Sequence, residues 1–277
     1  MSHAARPKPG LTVVGNLAVD RVDGGPPSAG GCPAFALTAL ARLGAGGEVL
    51  TRRAPGDAPL FSGLRSPAGV GLTVLDASRT SGFELDYSGE QRTMRVTAIG
   101  DSWSAEQLAA ASTAWVHAAP LLRGEFPLAA LLRLSTGGRR VSFDGQGLVR
   151  LAQLGPLRLD DHFDPGLLAA LSVLKLADEE AAVVARRGRF GLEDAQRLGV
   201  PEILVTFGSA GADLYCEGRR VRVTPSRRVA AVQSTGAGDM FAVTYAAARA
   251  GGVEPQRAAQ AACELVADVL AERLAGA

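Results

Sequence analysis

Apolar residues in this chain gather in short runs that alternate with stretches of helical period. Leu11 to Val14 is an uninterrupted apolar run closed by Gly15, as expected of a parallel strand buried on both faces. Gly30, Gly31, Cys32 and Pro33 then open a helical stretch, Ala34 to Leu43, which Gly44 stops. The pattern predicts a second strand at Glu48 to Thr51, a helix with an acidic start at Asp57 to Leu64, and a strand at Gly71 to Leu75. Further on, strands are expected at Ala114 to Ala118, Arg140 to Phe143, Val173 to Leu176 and Ile203 to Thr206. Helices are expected at Glu125 to Leu134, from Asp178, from Ala237 to about Ala250, and from Pro255 to about Leu274. Repeated strand–helix alternation implies an α/β fold, a mostly parallel sheet covered on both faces.

Two segments break that rhythm. Phe83 to Tyr87 alternates in period two, Ser88 to Glu90 turns, and Thr93 to Thr97 alternates again, which predicts a hairpin. Asp20 to Ser28, containing Gly24, Gly25, Pro26 and Pro27, has little helical character. Both pieces, about 20–29 and 81–98, are expected to form a small β lid. Asp213 to Val223 predicts a second hairpin.

The chain has 277 residues, 47% of them apolar, with a net charge of +1, so it can bury a large core and has no field drawing it to nucleic acid or an anionic membrane. Its only lysines are Lys8 and Lys175. Cys32, Cys216 and Cys263 are too few and too scattered for a disulfide framework or a zinc site. Residues 1–10 have no apolar stretch of the kind a signal peptide needs and read as a flexible tail. The expected location is the cytoplasm.

The chemistry is concentrated in Ser234, Thr235, Gly236, Ala237, Gly238 and Asp239, directly before an apolar helix. Glycines at this point let backbone N–H groups converge at the positive end of a helix dipole, where a phosphoryl group can be held. The Asp239 carboxylate in the first turn can take a proton from an attacking hydroxyl. A plain tight turn with a capping carboxylate is the other reading of these residues alone.

Thr235 to Asp239 resembles the C-terminal signature of the ribokinase-like (PfkB) carbohydrate kinases, and other segments follow that family's order. They are Gly15 to Asp20, Gly30-Gly31, Thr73 to Leu75, Thr80 to Gly82, Gly89 to Thr93, Asp144 to Gln146, Leu174 to Glu180, and Thr206 to Gly211. The resemblance spans about residues 11–275 and is weakly nearest to the myo-inositol kinase branch. It implies a three-layer ribokinase fold with a reduced lid, and ATP-dependent phosphorylation of a small polyol with Mg²⁺. Asp239 is then the base and Gly236, Ala237 and Gly238 the anion hole. Lys175, Thr206, Gly208, Gly211 and Thr235 fall on the donor side. Asn16, Asp20, Gly30, Gly31 and Gln146 fall on the acceptor side, and Glu180 on the metal-organising glutamate.

The chain also departs from that pattern. Ala177 replaces an asparagine next to the metal-linked segment, and Phe35 replaces another behind the di-glycine, which implies a less polar acceptor pocket. A nucleoside kinase, or a sensor without catalysis on the same fold, stays open beside the polyol kinase, and a homodimer is compatible with the sequence. Designs built on a glycine-lysine phosphate loop, a dinucleotide fingerprint or a serine elbow are absent. Gln233 stands where many relatives carry an aspartate that helps hold a monovalent cation, and its amide brings no charge to offset a dehydrated ion. The expected outcome is equal turnover in K⁺, Na⁺ and a bulky organic cation at fixed ionic strength. Saturable activation by K⁺ alone would refute it.

Overall fold

The computed structural model describes residues 8–88, 91–229 and 234–275. Its elements run β1 (Lys8–Asn16), β2 (Ala18–Val22), β3 (Ser28–Gly30), α1 (Cys32–Leu43), β4 (Gly47–Arg53), β5 (Val70–Asp76), β6 (Ser81–Ser88) and β7 (Gln91–Ala98). The middle of the chain supplies β8 (Thr113–Ala119), α2 (Leu128–Ser135), β9 (Arg140–Asp144), α3 (Gln146–Val149), β10 (Gly155–Pro156), β11 (Val173–Ala177) and α4 (Asp178–Val184). The last part supplies α5 (Leu192–Leu198), β12 (Glu202–Thr206), β13 (Ala212–Cys216), β14 (Arg219–Val223), α6 (Ala237–Ala250) and α7 (Pro255–Ala275).

Nine strands form the central sheet in the order β14-β13-β12-β11-β9-β8-β1-β4-β5. Pairing is parallel from β12 across to β5, and the β13–β14 hairpin adds the antiparallel edge. Side chains alternate across the sheet, as the strand period requires. Val14, Leu174, Leu176, Ile203 and Val205 join the core under α2, α4 and α5. On the opposite face, Leu11, Val13 and Val49 pack with α1 and α6, and Val173 and Leu204 pack with α6 and α7. The result is a three-layer α/β fold. The strand order reverses between β1 and β8, which opens a crevice at their C-terminal ends.

A second sheet, ordered β10-β7-β6-β2-β3, stands over those strand ends. Its apolar face of Ala18, Phe83, Leu85 and Val96 packs on Leu121 and Leu122, which directly follow β8. β2 pairs in parallel with β6, so the two segments that break the βα rhythm lie side by side.

Three local expectations change. Asp57 to Leu64 is a 3₁₀ turn, Pro55–Phe61, rather than an α-helix. Pro59 inside it lacks the N–H that a longer α-helical ladder needs. The helix expected from Glu125 starts at Leu128, because Pro127 holds an extended conformation at its N-cap and keeps Phe126 out of the helix. β1 begins at Lys8, inside the stretch read as a tail; residues 1–7 lie outside the described residues. Among the described residues, no helix is long and apolar enough to cross a membrane.

Candidate active site

The crevice collects side chains from four strand ends and two helix starts. Gly236 caps α6 in the left-handed region, φ 80°, where glycine is at little cost. Phe35 of α1 lies flat against it, so that a Cβ on Gly236 would meet the ring at 2.2 Å. The first-turn N–H groups of a helix have no acceptor within the helix. Ala237 N–H is used by Ser234 O at 2.9 Å, and those of Gly238 and Asp239 follow in the same turn. A Cβ on Gly238 would lie 3.0 Å from Lys175 Nζ, so the ammonium sits against the glycine turn.

Lys175 projects from β11 with only 4% of its side chain exposed, 3.4 Å from Asp144 Oδ2 at the end of β9. Burial pulls its pKa down, but the carboxylates of Asp144, Glu180 and Asp239 outweigh that and raise it. Asp239 is half-buried, and protein surrounds it closely enough that desolvation, aided by the Asp144 charge, lifts its pKa to about 7 against the pull of Lys175 and Arg150. Cys32, buried at the start of α1, has its thiol pKa pushed up by burial and by Asp239 and Asp144, and stays neutral.

Beside β1, the Asp20 carboxylate lies directly over Gly30, where a Cβ would be 2.0 Å from Oδ2. Gly31 has φ 85°, and a Cβ there would be 2.5 Å from Asn16 O. The di-glycine therefore does two jobs: one residue leaves room for a carboxylate and the other turns the chain into α1. Asn16 reaches the end of β1, but its amide is spent inside the protein, accepting from Arg52 Nε at 2.7 Å and donating to Asp101 O at 3.1 Å. Gln146 is buried at the start of α3, its N–H donating to Asp144 Oδ1 at 3.1 Å.

A glycine-containing loop follows β12. Thr206 Oγ1 donates to Leu176 O at 3.3 Å, and Gly208 and Gly211 have φ 52° and 90°. A Cβ at Gly211 would be 2.2 Å from Val223 O. Arg222 donates to Ala210 O at 2.6 Å, and Arg228 to Ser209 Oγ at 3.0 Å, so two guanidinium groups brace this loop. Gln233 lies outside the described residues, as do Gly89 and Glu90 of the hairpin tip.

Glu180 has no exposed surface. Its Oε1 accepts from Arg150 Nε at 3.1 Å and Nη2 at 2.9 Å, and its Oε2 from Ala177 N–H at 2.9 Å. Such a carboxylate does not fit a direct Mg²⁺ ligand, since its oxygens are already paired and closed to solvent. Among the described residues, no cluster of three acidic, histidine or cysteine side chains could hold a metal ion.

Comparison with known proteins identifies the family and the fold. Residues 152–276 match the model of the pfkB family carbohydrate kinases. Over 231 residues the chain is 32% identical to a fructokinase of Klebsiella pneumoniae, covering 76% of this chain and 74% of that one. The chain belongs to the PfkB family of carbohydrate kinases. Solved structures share the fold of this PfkB protein. A pyrophosphate-dependent kinase of the ribokinase family, complexed with a pyrophosphate analogue and myo-inositol, superposes with TM-score 0.82 at 22% identity, over 96% of this chain and 100% of that one. Ribokinase of Arabidopsis thaliana with ribose and ATP gives 0.67 at 18% identity, over 95% and 93%. A nucleoside kinase of Burkholderia thailandensis with inosine gives 0.69 at 18%, over 94% and 90%.

Some contributors to this PfkB site carry no local signal in the sequence. Arg150 and Glu180 are thirty positions apart and meet only because α3 and α4 are neighbours. Cys32 reads as an ordinary core residue until α1 is set against α6. Asp144, as a carboxylate ending a parallel strand, is readable in the sequence, as Asp239 is.

Two outcomes follow for this kinase. Removing one partner of a buried ion pair strands the other, so Glu180→Gln is expected to cost about 3 kcal/mol in a denaturant melt. Unchanged stability with altered Mg²⁺ dependence would instead make Glu180 part of a metal shell. For Asp239, the folded-state pKa of about 7 exceeds the unfolded value of 3.8, so its contribution is full below 3.8 and lost as pH rises towards 7. Asp239→Asn is therefore expected to melt at a higher temperature than wild type at pH 8, with the difference vanishing at acid pH.

Proposed function

We propose that this PfkB kinase transfers the γ-phosphoryl group of ATP to a hydroxyl of a small polyol, a sugar or a cyclitol. The observation that carries this reading is Asp239: a carboxylate poised near neutrality in the first turn of α6, behind a left-handed glycine and beside a buried ammonium. A base whose pKa lies near the working pH combines availability with driving force.

The acceptor lies between Asp20 and the di-glycine on one side and Gln146 on the other. Its hydroxyl gives its proton to Asp239 Oδ as its oxygen attacks the γ-phosphorus, and the bond from that phosphorus to the oxygen of ADP breaks. Charge spreads over the three equatorial oxygens and meets the N–H groups of the Gly236 to Gly238 turn and the Lys175 ammonium. Thr206, Gly208, Gly211 and Thr235 line the donor's phosphates. Mg²⁺ bound to those phosphates would offset their charge. The second sheet, with segments 20–29 and 81–98, is the lid that excludes water from the acceptor.

A pyrophosphate donor is the second reading. It is favoured by the extent of superposition on a pyrophosphate-dependent kinase and by Arg222 and Arg228 bracing the donor loop. A donor without a base to stack must be held through its phosphates, which planar guanidinium groups do well.

The deciding experiment offers ATP or pyrophosphate with a panel of sugars, myo-inositol and nucleosides. Turnover of a polyol with ATP is expected. Turnover with pyrophosphate alone reverses the donor, and turnover of nucleosides alone reverses the acceptor. Stabilisation by ligands without any turnover would leave a sensor. Asp239→Asn is expected to lose at least ~10²-fold in kcat, and wild-type kcat/KM to rise tenfold per pH unit up to a midpoint of about 7. A flat profile below that midpoint, or an active variant, would remove Asp239 from the base role.

A further inference from the structure

Thr235 immediately precedes the glycine that turns the chain into α6, and both of its polar ends are held by distant elements. Its hydroxyl is 2.7 Å from the hydroxyl of Tyr87, which projects from the end of β6 in the second sheet. Its carbonyl accepts from Arg273 Nη1 at 2.9 Å, from the last turn of α7. The next residue, Gly236, is covered by Phe35 of α1. The N–H groups of the glycine turn are thus aimed by Thr235 and Gly236, which together are held from three sides.

Of these three contacts, two come from the central three-layer body and one from the second sheet. α7 packs against α6, β13 and β14, and α1 against α6 and β1. β6 belongs to the sheet whose apolar face rests on Leu121 and Leu122, after β8. Tyr87 is therefore the member of the trio whose distance from Thr235 depends on where that sheet stands. A hydrogen bond of 2.7 Å between two hydroxyls exists only over a few tenths of an ångström. The bond therefore exists only while the second sheet stands at this distance from the turn.

We propose that Tyr87 is a positioning residue for phosphoryl transfer: its hydroxyl, through Thr235, makes the geometry of the glycine turn conditional on the second sheet being closed over the acceptor. This rests on the kinase reading above. Acceptor and transferred phosphoryl group must be aligned together, and an anion site that orders itself only under the closed sheet favours transfer to the enclosed hydroxyl over attack by water. A phenylalanine at 87 would keep the ring packing and lose only this coupling.

The test uses Tyr87→Phe, Thr235→Val, Thr235→Ser and the Tyr87→Phe/Thr235→Val double variant of the full chain. Loss of one such hydrogen bond corresponds to roughly a tenfold fall in kcat for each single variant that removes a hydroxyl, with acceptor KM within about twofold. Donor hydrolysis should rise relative to transfer. Thr235→Ser, which keeps the hydroxyl, should lose less kcat than Thr235→Val, and the double variant should fall no further than Thr235→Val alone, since both substitutions remove the same contact. Independently of turnover, Tyr87→Phe should speed amide exchange at residues 234–240 as well as in β6. Wild-type exchange at 234–240 in Tyr87→Phe, or additive losses in the double variant, would overturn the proposal. The kinase reading fails by a different result, an Asp239→Asn variant with wild-type turnover.

Discussion

The site depends on one desolvated ammonium. Lys175 is buried on the third residue of β11, where an unpaired cation would be costly, and it keeps its proton because three carboxylates face it. That requirement ties β9 to β11 through Asp144 and brings the start of α6 against the strand end through Asp239 and Gly238. It also leaves the local charges unequal in their fates. Asp144 pairs directly with the ammonium, whereas Asp239, farther along the cluster, is pushed towards neutrality by burial and by its neighbour Asp144. A carboxylate that titrates near 7 is what general-base chemistry at a hydroxyl needs. The stability cost of burying charge and the near-neutral titration of Asp239 have the same origin.

Arg150 and Glu180 form a second buried pair beside the first. Pairs of this kind are poor sources of net stability, because desolvation offsets most of the attraction. Their use here is geometric. The guanidinium holds α3, which carries Gln146, against the start of α4, and its third nitrogen reaches Met94 Sδ of β7 at 3.8 Å. β10, a few residues further on, adds itself to β7 as the edge of the second sheet. The α3 turn that carries Gln146 and the edge of the second sheet are thus joined through one connected segment.

Much of the layout was legible in the sequence. Continuous apolar runs announced the buried parallel strands, period-two segments announced the second sheet, and the Gly-Ala-Gly-Asp stretch announced a glycine turn directly before an apolar helix. These features rest on local physics: side-chain period, the conformational freedom of glycine, and the dipole at a helix start. Element boundaries were less legible where proline competed with helical period, as at Pro59 and Pro127.

Glu180 shows where local reading stops. An acidic residue in the first turn of a helix complements the dipole wherever it is found, and nothing near it in the chain says whether it faces a metal, water or a guanidinium. Its partner Arg150 arrives only when β9, β11 and their following helices are set side by side. The same holds for Tyr87 of β6, Arg273 of α7 and Thr235 in the turn before α6, which meet beside Gly236. The sequence by itself determined the fold class, the family and the residue types available for catalysis, because those follow from periodicity and short motifs. The tertiary structure alone decided which charges are buried together and which contacts cross the crevice, because desolvation and pairing depend on distances between segments remote in the chain.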